Sequence, residues 1–261
     1  MGDLLPKETM NVRLLQTMHN NAFLNMAIDE AISHHVAEGT VLPTLRLYGW
    51  QPPAVSIGYF QSMVEEVDLE KCKQHNIDVV RRITGGGAVF HDKELTYSFI
   101  IPVQNQLIPF DIKASYKRIC DGVIQGLDYL GLKAEFVPLN DIIVNGKKIS
   151  GNAQTRRNGC ILQHGTILIG VDVQKMFSLL KVPDEKIRDK MIKTVEERVT
   201  SISQQLNKPM LFETVASSMI SGFEMALELN LEPDDLTESE MKLAEKLMQE
   251  KYCTKEWNFK R

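Results

Sequence analysis

Residues Arg81-Arg82-Ile83-Thr84-Gly85-Gly86-Gly87-Ala88-Val89-Phe90-His91-Asp92 hold the densest set of groups in this chain able to grip an anion. Glycine accepts positive φ without a Cβ clash and lets backbone amides approach a ligand closely. Three consecutive glycines between two apolar runs are entropically costly. Two arginines at one lip and a histidine at the other point to an anionic ligand as the compensation, held by an amide nest and guanidinium contacts. Gly-Gly-Gly alone reads as a flexible hairpin; the flanking arginine, strand and histidine shift the reading toward a ligand. Further along, Asn140-Asp141 is a turn former. Asn145-Gly146 is a strong hairpin signal, and it delivers Lys147 and Lys148 on a strand whose alternation sends them to opposite faces. His91 and His164 accompany these strands, and a histidine closing a strand is more often structural than chemical.

The elements that must position these groups follow from periodicity. Residues 12–17 read as a strand, and Asn20 or Asn21 caps a helix to about Glu38, with Phe23, Met26, Ala27, Ile28 and Ala31 as its apolar stripe. Asp29 and Glu30 are adjacent on that helix, project in different directions, and read as solvated or locally hydrogen-bonded. Strands follow at 44–48, 54–57, 77–82, 88–91 and 94–102, with a short helix from Asp68 to about His75. A helix at about 111–130, a β-rich region at 134–171 and a charged segment at 181–198 complete the main body. Asn207-Lys208-Pro209 is the linker candidate, and 211–229 and 237–251 read as helices, the second opened by Thr237 with Glu240 three residues on. The expected fold is mixed α/β (α+β): a largely antiparallel sheet with flanking helices over residues 1–207, then a small helical C-terminal tail over 208–261.

Composition sets the outer bounds. The chain has 261 residues, 43% of them hydrophobic and 25% charged, as in ordinary soluble domains. A net charge of −4 gives no basic footprint, so neither nucleic acid nor a membrane is an expected partner. Cys72, Cys120, Cys160 and Cys253 form no Cys-x-x-Cys pair, which argues against a zinc site or a disulfide framework. With no targeting signal and no apolar run long enough for a bilayer, the expected location is the cytoplasm.

The succession of Arg82 and Gly85 to Asp92, then Leu139-Asn140-Asp141, then residues 146–154, then His164-Gly165-Thr166 resembles the lipoate–protein ligase family, within the wider biotin/lipoyl ligase fold. The resemblance extends through the segment 181–186, Arg198-Val199 and residues 252–257. It implies a lipoate–protein ligase that activates lipoate or octanoate with ATP to an acyl-adenylate. The acyl group would then pass to a lysine of lipoyl domains in 2-oxo-acid dehydrogenase complexes or of the glycine-cleavage H protein. On that reading Lys148 is the catalytic ammonium between carboxylate and α-phosphate. Arg82, Gly85, Gly86, Gly87, Ala88, Val89, Phe90, His91, Asn140, Asp141 and His164 bind ATP and the lipoyl-adenylate, and Asp141 holds Mg²⁺. Leu14, Leu15, Tyr48, Ile57 and Tyr59 are candidates for the acyl tunnel, and 181–193 resembles the family's adenylate-binding loop. The short C-terminal part resembles forms that either work with a separate small accessory polypeptide or act alone.

The nearest alternative is an octanoyl or lipoyl transferase of the same fold, which carries the acyl group on a cysteine. In one such branch the cysteine stands roughly a dozen residues before the lysine hairpin, and in another it follows the His-Gly strand. Residues 132–138 and 179–183 contain no cysteine, which ranks adenylate chemistry first. Biotin ligase fits less well because a Gly-Arg-Gly-Arg loop is missing, and a non-catalytic binding protein has no basic stripe or aromatic array behind it.

Overall fold

The computed structural model describes residues 9–181 and 185–261. In chain order the elements are β1 (Met10–Asn20), α1 (Ala22–Ala37), β2 (Thr44–Trp50), β3 (Ala54–Ile57), α2 (Met63–Glu66), α3 (Leu69–Gln74), β4 (Asp78–Arg81), β5 (Val89–His91) and β6 (Glu94–Pro102). They continue as α4 (Ile112–Tyr129), β7 (Ala134–Val137), β8 (Asp141–Val144), β9 (Lys147–Arg157), β10 (Cys160–Leu168), α5 (Val173–Leu179), α6 (Glu185–Arg198) and α7 (Ile202–Leu206). The chain closes with α8 (Phe212–Leu227), β11 (Leu229–Asp234), α9 (Glu238–Leu247), a π-helical turn (Met248–Tyr252) and α10 (Lys255–Asn258). Of the predicted adenylate-binding loop, residues 182–184 lie outside the described residues.

Eight strands form one sheet in the order β11-β1-β2-β6-β10-β9-β8-β7, and β4-β3-β5 form a second, smaller sheet. Among the described residues, only β1 makes parallel pairs in the large sheet, with β2 and β11; the sheet's other pairings are antiparallel. The mixed α/β architecture, largely antiparallel with flanking helices, is therefore the one expected. Local signals act as read at Asn21, whose Oδ1 accepts Leu24 N–H at 2.9 Å to open α1; Asp111, not singled out as a cap, opens α4 in the same way. Each such cap contributes about 1 kcal/mol. At the β8–β9 hairpin Asn145 and Gly146 take φ of 50° and 75°, the two positive values a type I′ turn requires.

Alternation on the central strands decides where the site lies. On β6, Leu95, Tyr97, Phe99 and Ile101 point into the core beneath α4 and α8, with Leu45 and Leu47 of β2 and Ile161 and Ile167 of β10. The opposite face carries Glu94, Thr96 and Ser98, yet these too are buried, because α1 and the small sheet cover them. Strand register aligns Arg46, Ser98, His164 and Ala153 in one row across four strands, and Tyr48, Thr96, Thr166 and Gly151 in the next. A strand whose polar face is buried in this way offers a polar floor for a site.

Residues 208–261 do not stand apart from the body. β11 extends the large sheet beside β1, α8 packs on α4, and Arg118 donates to Ala226 O at 2.6 Å. α9 lies against α1, and Arg13 reaches Glu240 Oε2 at 2.9 Å. The expected boundary at 207/208 thus falls inside a continuous core, and β11 is a strand where the sequence suggests only helices.

Candidate functional site

A pocket of about 370 Å³ opens between the two sheets. Of the glycine loop, Gly86 through His91 line it, as do Arg82, Asn140, Lys148 and His164; Gly85 and Asp141 stand just outside. Lys148 lines the pocket and Lys147 does not, in keeping with an alternation that sends them to opposite faces. The apolar wall comes from residues such as Met26, Trp50, Leu168 and Val199. Of the five tunnel candidates only Tyr48 is among the lining residues. Leu14, Leu15 and Ile57 belong to core clusters, and Tyr59 sits beside Trp257 and beneath Lys260.

Arg82 does not face a ligand directly. Its Nε donates to Thr84 Oγ1, Nη1 to Ser56 O and Oγ, and Nη2 to the carbonyls of Gly85 and Gly87 at 2.8 and 2.7 Å, which engages all of its N–H donors. Because a trans peptide points C=O and the following N–H in opposite directions, this clamp turns the Gly86 and Ala88 amides away from Arg82. Neither amide has a backbone acceptor among the described residues, and both residues line the pocket. Burial lowers the Arg82 guanidinium to about 10, still a cation at neutral pH. Gly86 has φ +96°, and a Cβ there would meet Arg82 Nη2 at 2.9 Å, so the clamp needs glycine. Arg81 plays a similar role outside the pocket. It donates to Gly58, Tyr59 and Gln61 carbonyls and to Trp257 and Asn258 carbonyls, tying the C-terminal segment to the loop after β3.

Lys148 Nζ lies 2.7 Å from Asp141 Oδ1, and its terminal carbon and nitrogen arch over Gly151, where an added Cβ would meet them at 2.9 Å. Asn140 fixes the approach of Asp141, donating to Asn152 O at 2.6 Å while its own carbonyl accepts Asn152 N–H. Asn152 Oδ1 in turn accepts Tyr97 O–H at 2.7 Å.

Two buried networks support the floor, and the sequence concealed most of both. In the first, Asp29 is 2% exposed and meets Arg46 Nη1 at 2.6 Å, Ser98 Oγ at 2.6 Å and Tyr48 O–H at 3.2 Å. Burial pushes the Asp29 carboxyl up, but Arg46, His164 and Ser98 together hold it below its ordinary value. Of the two readings of Asp29, solvated or hydrogen-bonded, the solvated one fails because this side of α1 packs on β2, β6 and β10. His164 Nε2 sits 2.7 Å from Thr84 Oγ1, and its Nδ1 is 3.5 Å from Asp29. In the second network His91 Nε2 lies 2.8 Å from Ser56 Oγ, and Nδ1 2.7 Å from Glu94 Oε1. Trp50 stacks on His91 at 4.0 Å and donates to Thr96 Oγ1, which donates to Glu94.

Burial lowers the His164 imidazole below its ordinary 6.5, with Asp29 opposing. In the fold it takes up its proton at a lower pH than in the unfolded chain, where protonation sets in near pH 6.5, so acidification favours unfolding from that pH downward. A His164→Gln variant should therefore show a shallower fall in Tm between about pH 6.5 and 5 than the parent. Parallel curves in scanning calorimetry would refute the lowered value.

The fold and this pocket define a class. The model of the "Lipoyl protein ligase A/B catalytic domain" matches residues 21–224, and the chain belongs to that family. A curated relative from Geobacillus kaustophilus (strain HTA426), named octanoyltransferase LipM, is 40% identical over 260 residues, 91% of this chain and 94% of the relative. The protein of the same name from Brevibacillus brevis (strain 47) is 38% identical over 272 residues, 95% of this chain and 99% of the relative. Among solved structures, the bi-partite lipoate protein ligase from Thermoplasma acidophilum superposes with a TM-score of 0.86 at 36% identity, covering 96% of each chain.

These relatives correct the enzyme class expected from sequence. Family and fold stand, but near-full-length relatives named octanoyltransferases overturn the ATP-dependent ligase reading, and ATP and Mg²⁺ go with it as cofactors. The site offers matching physical reasons. Arg82, cast as a phosphate-binding cation, has every donor engaged by the loop and by Ser56, and Asp141, cast as the Mg²⁺ ligand, is paired with Lys148. The missing cysteines that had ranked adenylate chemistry first concern only which group carries the acyl chain, and do not decide how it is activated. Among the described residues no helix is long and apolar enough to cross a membrane.

Proposed function

We propose that this chain transfers an octanoyl-type acyl group from an activated thioester to the ε-amine of a lysine on a lipoyl-acceptor protein. Membership of the family supports protein lipoylation, and the names of the relatives support octanoyl transfer. The observation that carries the reading is a pocket with an apolar wall of Met26, Trp50 and Leu168 whose mouth gathers an ammonium, Lys148, and two outward amides, those of Gly86 and Ala88. An acyl chain lies against the wall, while its carbonyl meets donors suited to an oxyanion. The attacking amine must be neutral and has to lose a proton during transfer. Acceptors of the right chemistry are lipoyl domains of 2-oxo-acid dehydrogenase complexes and the glycine-cleavage H protein; the Thermoplasma structure is described with an E2 lipoyl domain.

The test uses the full chain, an octanoyl-pantetheine thioester and an unmodified lipoyl domain without nucleotide, with the acceptor followed by intact mass. Octanoyl-lysine should form. Formation only from free octanoate plus ATP would overturn the proposal.

A further inference from the structure

None of the four cysteines lines the pocket. Burial pushes the thiols of Cys72 and Cys160 up to about 11 and that of Cys120 to about 12; Cys253 is exposed, and its thiol too is raised by desolvation. A thiolate nucleophile needs the opposite environment, electropositive and open to substrate. The pocket does contain an oxygen nucleophile with a base and an orienting carboxylate. Resting on the acyl-transfer reading above, we propose that Ser56 is the acyl-carrying nucleophile of this chain, with His91 as its general base and Glu94 as the group that orients His91.

The geometry is that of an activated hydroxyl. Ser56 Oγ lies 2.8 Å from His91 Nε2, and His91 Nδ1 lies 2.7 Å from Glu94 Oε1, both within the reach that proton transfer requires. The hydrogen-bond directions fix the roles. Thr96 Oγ1 accepts from Trp50 Nε1, which only donates, so the Thr96 hydroxyl proton goes to Glu94 Oε1. Glu94 as a carboxylate accepts from His91 Nδ1–H as well, leaving Nε2 with a lone pair facing Ser56. The indole of Trp50, stacked at 4.0 Å and 15°, holds the imidazole in that plane. Arg82 Nη1 donates to Ser56 Oγ at 3.0 Å, which places a cation beside the oxygen where negative charge develops. Ser56, His91 and Glu94 all line the pocket, on the side where Arg82 presents the Gly86 and Ala88 amides. Among the described residues Glu94 Oε2 is buried without a hydrogen-bond partner.

The sequence of bonds is complete without another reagent. Ser56 Oγ attacks the thioester carbonyl carbon and its proton passes to His91 Nε2. The C–S bond breaks, and the departing thiolate takes that proton. The acceptor lysine's neutral amine then attacks the serine ester. His91 accepts the amine proton and returns it to Ser56 Oγ as the C–O bond breaks. The sum is thioester plus amine giving amide plus thiol.

The full chain, incubated with octanoyl-pantetheine and no acceptor, should acquire one octanoyl group on the peptide containing Ser56. The adduct should resist neutral hydroxylamine, as an oxygen ester does, in the parent and in a variant with Cys72, Cys120, Cys160 and Cys253 all changed to Ala. Ser56→Ala should lower transfer at least about 10³-fold. A merely structural loss is separated by Ser56→Cys, which should carry the group at the same position as a hydroxylamine-labile thioester. An adduct on a native cysteine, or Ser56→Ala with undiminished transfer, overturns the assignment while leaving acyl transfer standing. Absence of any octanoyl transfer by the parent overturns both.

Discussion

Lys148→Ala is expected to lower kcat for octanoyl transfer by about 10²–10³-fold, the range seen when one donor is removed from an oxyanion site. The magnitude follows from its placement. Its main chain is held by Thr200 N–H donating to Lys148 O at 2.8 Å and by a bridge to Val199, so the strand delivers the ammonium to one spot on the pocket wall. Its partner Asp141 steers the side chain, yet both are more than a third exposed, so the pair itself adds at most about 1 kcal/mol to stability. Activity and folding therefore separate: kcat should fall with Tm nearly unchanged. Asp141→Asn should be milder, since the ammonium remains but loses its guide. Steady-state transfer to a lipoyl domain, with Tm measured in parallel, decides the matter. A Lys148→Ala enzyme with parental kcat would remove Lys148 from the reaction.

Where the sequence was legible, local chemistry was doing the specifying. Asn21 and Thr237 announced their helices, Asn145-Gly146 announced its hairpin, and the triple glycine announced a loop that lines the pocket. Strand alternation, a local property, separates Lys147 from Lys148, and the family resemblance selects Lys148. What stayed hidden was set by tertiary burial. The strand at 94–102 was legible, but not that Glu94, Thr96 and Ser98 are buried beneath α1 and the small sheet as the floor of a site. Arg82 read as a ligand-facing cation, because nothing in a sequence shows that five donors will meet Ser56, Thr84 and two glycine carbonyls. Ser56 lies in an unremarkable apolar run, 35 residues from His91, and pairing of β3 with β5 alone brings them together. β11 was missed because its six residues follow directly on α8 and owe their state to the open edge of β1.

Arg46→Met should reduce the free energy of unfolding by about 3–5 kcal/mol, the usual result of stripping one partner from a buried pair. For a chain of this size that is a Tm lower by on the order of 10 °C. Arg46 is fully buried and donates to Thr17 Oγ1, Asn25 O, Asn25 Oδ1 and Asp29 Oδ1, so its loss leaves Asp29 as a buried carboxylate with only Ser98, Tyr48 and a neutral His164 beside it. The pH dependence identifies the cause. In the parent, Asp29 is held below its ordinary 3.8, so its contribution is present above that pH and is lost as the pH falls through the lower folded value. Without Arg46 that contribution is absent, and the stability gap between parent and variant should narrow on acidification below about pH 4. Adding Asp29→Leu to Arg46→Met should recover much of the loss, since an apolar pair avoids the uncompensated charge. Denaturant titrations of the three proteins at neutral and acidic pH measure each difference. A gap that stays constant with pH, or a double variant no better than the single one, would show that Arg46 acts by packing on Tyr48, 3.9 Å from its ring centroid, and not through Asp29.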